Sequence, residues 1–546
     1  MEKRMTVLVP AAKIVPEELQ TIGKLPAIIY PVNQRIVFDY LLEQYQGDCE
    51  DIRVICYEKA DKVHRRLSTY KNEKIHIQDL DELGDLGHTI YAGLKNCSGN
   101  VIINFADTIV FDNIQDIDGD CFFCSQDEVS DKWTFFDERG GTIIEIYDKT
   151  QKKVVGEKSL FVGVFKLTDA EAFRRCLATA FAEENLSMST FYYALMLYSQ
   201  KHPMEAVPTS NWFDIGHIDR YYDTQLEVKS REFNHITIDR DRGILKKTSD
   251  DKEKFIGEVL WYLKLPADIE YVRPRIFSYS IDYNAPYVSM EYYSYHTLHE
   301  LFLYGDLTSG QWKDIFNRIR FVYNDFRRYT VKDSSIRASL EDMYLRKTIN
   351  RLDKLRNDGH FAKFFESSIC VNGVQYESLD HICNRLKEAI PQMLFDVDSF
   401  SIIHGDLCFA NIMVDSNMSF VKVIDPRGKF GSFDIYGDTR YELAKLFHSI
   451  DGKYDFLIKD LFDLEFNAEV CRIDYKVKDR VRGYDLYQLF VNVFKEEIGG
   501  DLKKIELIEA LLFLSMIPLH GESVRHQMVM LGTGLEILDR VVKVKK

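Results

Sequence analysis

Ser401 to Gly428 reads SIIHGDLCFANIMVDSNMSFVKVIDPRG. The apolar pair Ile402 and Ile403 leads into His404, Gly405 and Asp406. Five positions past Asp406 stands Asn411, followed by the apolar pair Ile412 and Met413, a polar turn over Asp415 to Asn417, a second β-like run from Val421 to Ile424, and then Asp425. Short apolar runs bounded by turn residues predict a strand, a loop, a hairpin and a second loop. The loops carry an Asp, an Asn and an Asp. Phosphoryl transfer from ATP calls for one carboxylate that orients the attacking hydroxyl, and for an Asn and a second carboxylate that hold Mg²⁺ against the phosphates. Asp406 fits the catalytic role, and Asn411 and Asp425 fit the metal ligands.

The stretch resembles the aminoglycoside phosphotransferase and choline kinase family, in which H-G-D-x-x-x-x-N stands where protein kinases carry H-R-D and an I-D-x-x metal loop stands where they carry D-F-G. The resemblance implies an α+β, protein-kinase-like domain that uses ATP and Mg²⁺, with a small lobe over residues 229–296 and a large helical lobe over 297–546. Upstream, β-runs around the turn at Asp239 to Gly243 predict a hairpin that ends in Lys246 and Lys247. Either lysine stands where such kinases neutralise the α and β phosphates. Lys247 is favoured because Leu245 then shares its strand face and packs near adenine. Helical spacing over Lys252 to Leu263 places Glu258 to pair with that lysine. Tyr287 to Tyr293 reads as a strand entering the inter-lobe hinge, with Glu291 and Tyr292 as the expected adenine contacts. Tyr436 to Lys445, YGDTRYELAK, resembles the element after the metal loop in relatives from bacterial capsule and surface polysaccharide loci. Asp438 there is expected to buttress the catalytic loop.

The first 230 residues have another texture. β-like runs at Thr6 to Ala12, Ile52 to Tyr57, Lys74 to Ile77 and Asn100 to Phe105 alternate with helix-like runs at Arg35 to Tyr45, Lys59 to Tyr70 and Thr89 to Asn96. That alternation predicts an α/β domain over residues 1–228, a mostly parallel sheet with flanking helices. Ligands of such sheets bind beyond the carboxyl ends of the strands. VLVPAAK with LPAIIYPVNQRIVFDYLL, LGHTIYAGL, VIINFADTIV, WTFFDERGGTIIEIYDK with SLFVGVFKL, and NWFDIGHIDRYYDTQ resemble, in order, segments of the sugar-phosphate and phosphocholine nucleotidyltransferases, which share a glycosyltransferase-A-like fold. The resemblance implies Asp107 and Asp214 as metal ligands and a second NTP, CTP or UTP, as substrate. The family's glycine-rich phosphate loop is replaced by Ala11 to Glu18, with no glycine before Gly23. Lys13 or Lys24 is left to offset the triphosphate charge.

At 546 residues the chain exceeds one core. Its net charge of −16 argues against general affinity for nucleic acid. The ten cysteines are scattered, and Cys121 and Cys124 form a C-x-x-C pair with no second pair or nearby His to complete a zinc site. They read as buried thiols of a reducing compartment. No apolar run reaches membrane-spanning length, so the expectation is a cytoplasmic protein with no integral membrane segment. The tract Leu226 to His235 lacks Pro and Gly and reads as a short, tight junction that couples the halves closely. Together the halves suggest a bifunctional enzyme that phosphorylates a small alcohol or sugar and then joins the product to a nucleotide for surface polysaccharide. The alternative is a small-molecule kinase with a non-catalytic, nucleotidyltransferase-like binding domain. Sugar, choline, ethanolamine and glycerol all remain open as acceptors, as does the oligomeric state.

Overall fold

A computed structural model of the chain describes residues 5–33, 35–45, 47, 49–70, 72–128, 132–149, 157–217, 221, 236–239, 241–479 and 482–545. It divides into two compact units, residues 1–229 and 230–546. The tract 226–235 lies outside the described residues.

In the first unit, Val- and Ile-rich runs form the strands Met5–Ala11, Asp51–Cys56, Ile75–Asp79 and Asn100–Asn104. They pair in parallel, with Met5–Ala11 between Asp51–Cys56 and Asn100–Asn104. The helices Val37–Tyr45, Ala60–Leu67 and Leu86–Gly93 lie along the crossovers between them, since parallel neighbours need long connections. Beyond Asn104 the rule changes. The long strand Glu157–Leu167 runs antiparallel to Asn100–Asn104, to Cys121–Glu128 and to Thr134–Arg139, and Thr134–Arg139 forms a hairpin with Thr142–Asp148. The sheet is therefore mixed, not mostly parallel. The reason is local: Gly140 and Gly141 take positive φ at the hairpin tip, and a chain that reverses without a crossover helix returns antiparallel. Phe122, Phe136, Phe161 and Phe165 fill the core on this side, with Phe122 centred 5.1 Å from both Phe136 and Phe161.

The second unit begins with a four-stranded antiparallel sheet in the order Ile236–Asp239, Ile244–Lys247, Tyr287–Glu291, Ile276–Ser280, with the helix Lys252–Lys264 following its second strand. The remainder is rich in helix. Ser309–Arg327 starts at a capping box between Thr308 and Gln311 and buries Trp312, Ile315, Phe316, Ile319, Val322, Tyr323 and Phe326, the three-to-four spacing of one apolar face. Leu502–Met516 packs on Val524–Val542. This part also contains a four-stranded sheet, Val374–Tyr376, Ile369–Val371, Arg472–Val477 and Phe462–Asn467, within a region whose sequence reads as helical. Among the described residues no helix is long and apolar enough to cross a membrane.

Phe122→Ala removes a fully buried ring from the aromatic core. It is expected to lower the stability of the first unit by about 3–5 kcal/mol, measured as an earlier denaturant midpoint for that unit's transition.

Candidate active sites

The strand Phe400–Ile402 delivers His404, Gly405 and Asp406 into a loop held from below. The N–H groups of His404 and Gly405 each donate to a carboxylate oxygen of the buried Glu442 at 2.8 Å. Gly405 turns at φ +79°, and a Cβ there would stand 2.9 Å from that of Arg427. The His404 ring donates from Nε2 to the Ile424 carbonyl at 2.9 Å and accepts the Asp406 N–H at Nδ1, 3.3 Å away. Burial holds its pKa down to about 4, so the ring is a neutral strut at neutral pH.

Asp406 meets Lys445 Nζ at 2.8 Å. Asn411 Nδ2 donates to the Asp406 carbonyl at 2.9 Å and to its carboxylate at 3.2 Å. Desolvation alone would raise the Asp406 carboxyl, but Lys445 outweighs it and holds the pKa down to about 2. The hairpin Ile412–Val414 with Val421–Val423 sets Asn411 beside the second acidic loop, and the Ile424 N–H donates to the Asn411 carbonyl at 3.0 Å. Asp425 then takes a left-handed φ of +57°. Its backbone N–H donates to the Tyr262 hydroxyl at 3.0 Å.

Lys247 Nζ lies 2.9 and 3.1 Å from the two oxygens of Glu258 and 2.8 Å from Asp425. Burial opposes the lysine's charge, yet Asp425 and Glu258 raise its pKa overall. Burial and then Asp425 push Glu258 up to about 7. The neighbouring Lys246 takes the opposite side of the strand, its Nζ 4.5 Å from the Tyr287 ring centre. Lys247, not Lys246, meets the acids, and Leu245 is buried on the same strand. At the end of the strand Tyr287–Glu291, the Glu291 N–H donates to the Arg275 carbonyl and the Tyr292 N–H to the Gly243 carbonyl, both at 2.8 Å. Both N–H groups are therefore engaged by carbonyls of the protein. Asp438 caps the helix Thr439–Ile450; it accepts from Tyr344 Oη at 2.9 Å and Arg440 Nη2 at 2.8 Å.

In the first unit the strands Thr108–Val110 and Trp212–Asp214 pair antiparallel with Thr108 opposite Asp214, and the Ile215 N–H donates to the Asp107 carbonyl at 2.9 Å. Both carboxylates converge on Gly216: from the point where a Cβ would stand, Asp107 Oδ2 is 2.9 Å away and Asp214 Oδ1 3.1 Å. Desolvation and then Asp214 raise Asp107 to about 6. His217 Nδ1 lies 2.9 Å from Asp214 Oδ2, and that hydrogen bond raises the imidazole's pKa despite burial. The Trp133 ring lies 5.0 Å from His217 and 5.3 Å from Trp212. Lys149 also bears on Asp107 electrostatically.

Lys13 and Lys24 flank a bridge between Ile14 and Pro26. Both are exposed, and among the described residues neither forms an ion pair with Asp107 or Asp214. The N–H groups in this loop are partly spent, Ile14 on the Glu58 carboxylate at 3.0 Å and Val15 on the Leu25 carbonyl at 2.9 Å.

Both sites suit a hard cation, which prefers carboxylate, amide and phosphate oxygens. In the first unit, two repelling carboxylates share one space. In the second, Asn411 turns its amide N–H₂ to Asp406, and its Oδ1 has no protein partner among the described residues. The residues that sequence spacing did not single out are Lys445, Lys149 and His217. Lys445 meets Asp406 from a helix far along the chain, and Lys149 and His217 reach the carboxylate pair from a hairpin end and a loop. No local pattern marks such contacts.

No protein-family model matches the chain, and no curated protein matches it. Solved structures similar to its N-terminal part, about 40% of the chain, include HddC from Yersinia pseudotuberculosis, with 16% identity over 41% of this chain and 99% of that one at a TM-score of 0.32. CTP:phosphocholine cytidylyltransferase from Streptococcus pneumoniae gives 14% identity, the same coverage of 41% and 99%, and a TM-score of 0.33. The inositol-1-phosphate CTP transferase from T. maritima gives 13% identity over 42% of this chain and 97% of that one at 0.32.

Asp107 titrates near pH 6 when folded and near 3.9 when unfolded. Its charge therefore costs stability increasingly as pH rises from about 4 through 6, and the cost is fully present above that. Asp107→Asn should raise the Tm of the metal-free first unit by a few degrees at pH 7.5 and by nothing at pH 4. Wild type and variant sharing one Tm at pH 7.5 as well as at pH 4 would show that burial and Asp214 do not raise the Asp107 pKa.

Proposed function

We propose that the chain is a bifunctional enzyme: the second unit phosphorylates a hydroxyl of a small alcohol or sugar with ATP, and the first joins the resulting phosphate to the nucleotidyl group of CTP or UTP. The observation that carries the kinase reading is the Lys247 ammonium held between Glu258 and Asp425, in the same unit as Asp406 and Asn411. A structural ion pair has no need of a third, half-exposed carboxylate, whereas a lysine that serves phosphates beside a metal ligand does.

In the kinase step the acceptor oxygen attacks the γ-phosphorus of ATP, the bond to the β–γ bridging oxygen breaks, and ADP leaves. Asp406 accepts a hydrogen bond from the attacking hydroxyl and aims it. At a pKa of about 2 it is a weak base, which suits a loose transition state in which the proton leaves late. Lys247 holds the phosphates. In the transfer step an oxygen of the new phosphomonoester attacks the α-phosphorus of the second NTP and pyrophosphate departs. Lys13, Lys24 and Lys149 are the cations available to the phosphates there. Mg²⁺, held by Asn411 and Asp425 in one unit and by Asp107 and Asp214 in the other, would supply neutralisation of phosphate charge. The product is a nucleotide-activated building block of the type that surface polysaccharide assembly consumes.

A second reading keeps the kinase and makes the first unit a non-catalytic binding domain. The spent N–H groups of Ile14 and Val15 and the missing glycines favour it, because a phosphate cradle needs free N–H groups.

Phosphorus NMR with Mg²⁺, ATP, CTP, UTP and an acceptor panel separates the readings. The proposal expects a phosphomonoester that turns into a diphosphodiester as pyrophosphate appears. Asp406→Asn should slow the first step by roughly 10²-fold or more, and Asp107→Asn should stop the second alone. A phosphomonoester that accumulates unchanged in wild type and Asp107→Asn alike selects the kinase with a binding domain. A further outcome concerns pH: Lys445→Met removes the largest influence that opposes the desolvation of Asp406, so the acid limb of kcat/KM should move up by about one pH unit or more. An unmoved limb would separate Lys445 from the titration of Asp406.

A further inference from the structure

The kinase reading leaves the acceptor's chemistry open, and a cluster beside Asp406 narrows it. Tyr441 and Lys445 stand one turn apart on the helix Thr439–Ile450, and Lys445 holds Asp406. The Tyr441 hydroxyl accepts from Arg427 Nη1 at 3.1 Å, and Lys347 Nζ lies 5.9 Å from the centre of the same ring. Lys347 and Arg351 are one turn apart on the helix Lys347–Asp353, which directly follows the π-helical segment Glu341–Arg346. Such π turns are frequent at functional sites.

The cluster has no ion-pair partner of its own, and the Asp406 charge that reaches it is shared with Lys445. Among the described residues, Lys347, Arg351 and Arg427 form no ion pair with any carboxylate; Arg351 Nη1 donates only to the Ser515 carbonyl, at 3.2 Å. The nearest acids are committed, Asp406 to Lys445 and Asn411, and Glu442 to the loop N–H groups. All three cations are half-buried, where like charges repel more strongly than in water. Burial, then Arg427, Arg351 and Lys445, drive the Lys347 pKa well below its ordinary value, against a smaller opposing pull from Asp406. A group of unpaired, partly desolvated cations is costly to maintain without a ligand that neutralises it.

We infer that the acceptor phosphorylated by the second unit is an anionic alcohol, whose carboxylate or phosphate is held by Lys347, Arg351 and Arg427 while its hydroxyl faces Asp406. The inference rests on the kinase reading. Arginine offers a planar fork that matches carboxylate and phosphate, whereas a cationic acceptor such as choline calls for acids or open aromatic faces and is repelled here.

The test pairs acceptors of like shape and unlike charge: glycerate and glycerol 3-phosphate against glycerol, glucuronate and glucose 6-phosphate against glucose and glucosamine, and choline. ADP formation is measured with the full chain. The expected result is turnover of an anionic member with at least tenfold higher kcat/KM than its neutral partner. The carboxylates and phosphates in the panel distinguish the two sources of charge. Lys347→Met and Arg351→Gln should each raise the acceptor KM more than tenfold while the KM for ATP holds, and Lys347→Arg should restore most of the loss. Neutral or cationic members turned over as well as anionic ones would overturn the inference and leave the kinase intact. If no member is phosphorylated, the kinase reading fails for this panel. The anion site is then judged alone, by calorimetric titration of inorganic phosphate with the nucleotide site filled by Mg²⁺ and a non-hydrolysable ATP analogue. Binding weakened tenfold by Lys347→Met supports the site; no binding, or binding unchanged by it, overturns it.

Discussion

The second unit depends on a single helix, Thr439–Ile450, that fixes the loop of His404, Gly405 and Asp406 from beneath. Asp438 caps it while locked to Arg440 and Tyr344. One turn in, Glu442 receives two loop N–H groups, and three residues later Lys445 grips Asp406 itself. Burial pushes Glu442 up to about 7, against the pull of those N–H groups, so its charge is tied to the bonds that hold His404 and Gly405. Buried polar groups of this kind are costly when unsatisfied and specific when satisfied. Asp406, Asn411 and Asp425 all inherit their positions from that framework.

The loop of Asp425 carries the same constraint to the small sheet. Gly428 has φ +67°, and a Cβ there would approach the Gly257 carbonyl to 2.2 Å. That close approach brings the loop of Asp425 against the helix that bears Glu258, and Lys247 bridges the two acids. Charge balance is thus distributed unevenly: Lys247 has two carboxylates, and among the described residues Lys347, Arg351 and Arg427 form no ion pair.

The first unit uses a different device. Two short strands, Thr108–Val110 and Trp212–Asp214, bring carboxylates from residues more than a hundred apart to one point beside Gly216. The mutual repulsion of that pair is the property that suits it to a cation. The loop Ala11 to Glu18 carries no comparable preparation for phosphate, because its N–H groups at Ile14 and Val15 are used internally.

The sequence by itself determined the elements whose signal is local. Val- and Ile-rich runs marked the parallel strands, the turn at Asp415 to Asn417 marked the hairpin, and the spacing from Asp406 to Asn411 to Asp425 put three polar groups on consecutive loops. The tertiary structure alone decided the partners. It put Lys247 rather than Lys246 against the acids, spent the N–H groups of Glu291 and Tyr292 on the Arg275 and Gly243 carbonyls, turned the later strands of the first sheet antiparallel, and brought Lys445 and Lys347 around Asp406, with Arg351 beside Arg427 and Tyr441. Helical and strand periodicity record which face of an element is apolar. They hold no record of which distant charge that element will meet, because such contacts follow from chain crossings that a one-dimensional pattern does not encode.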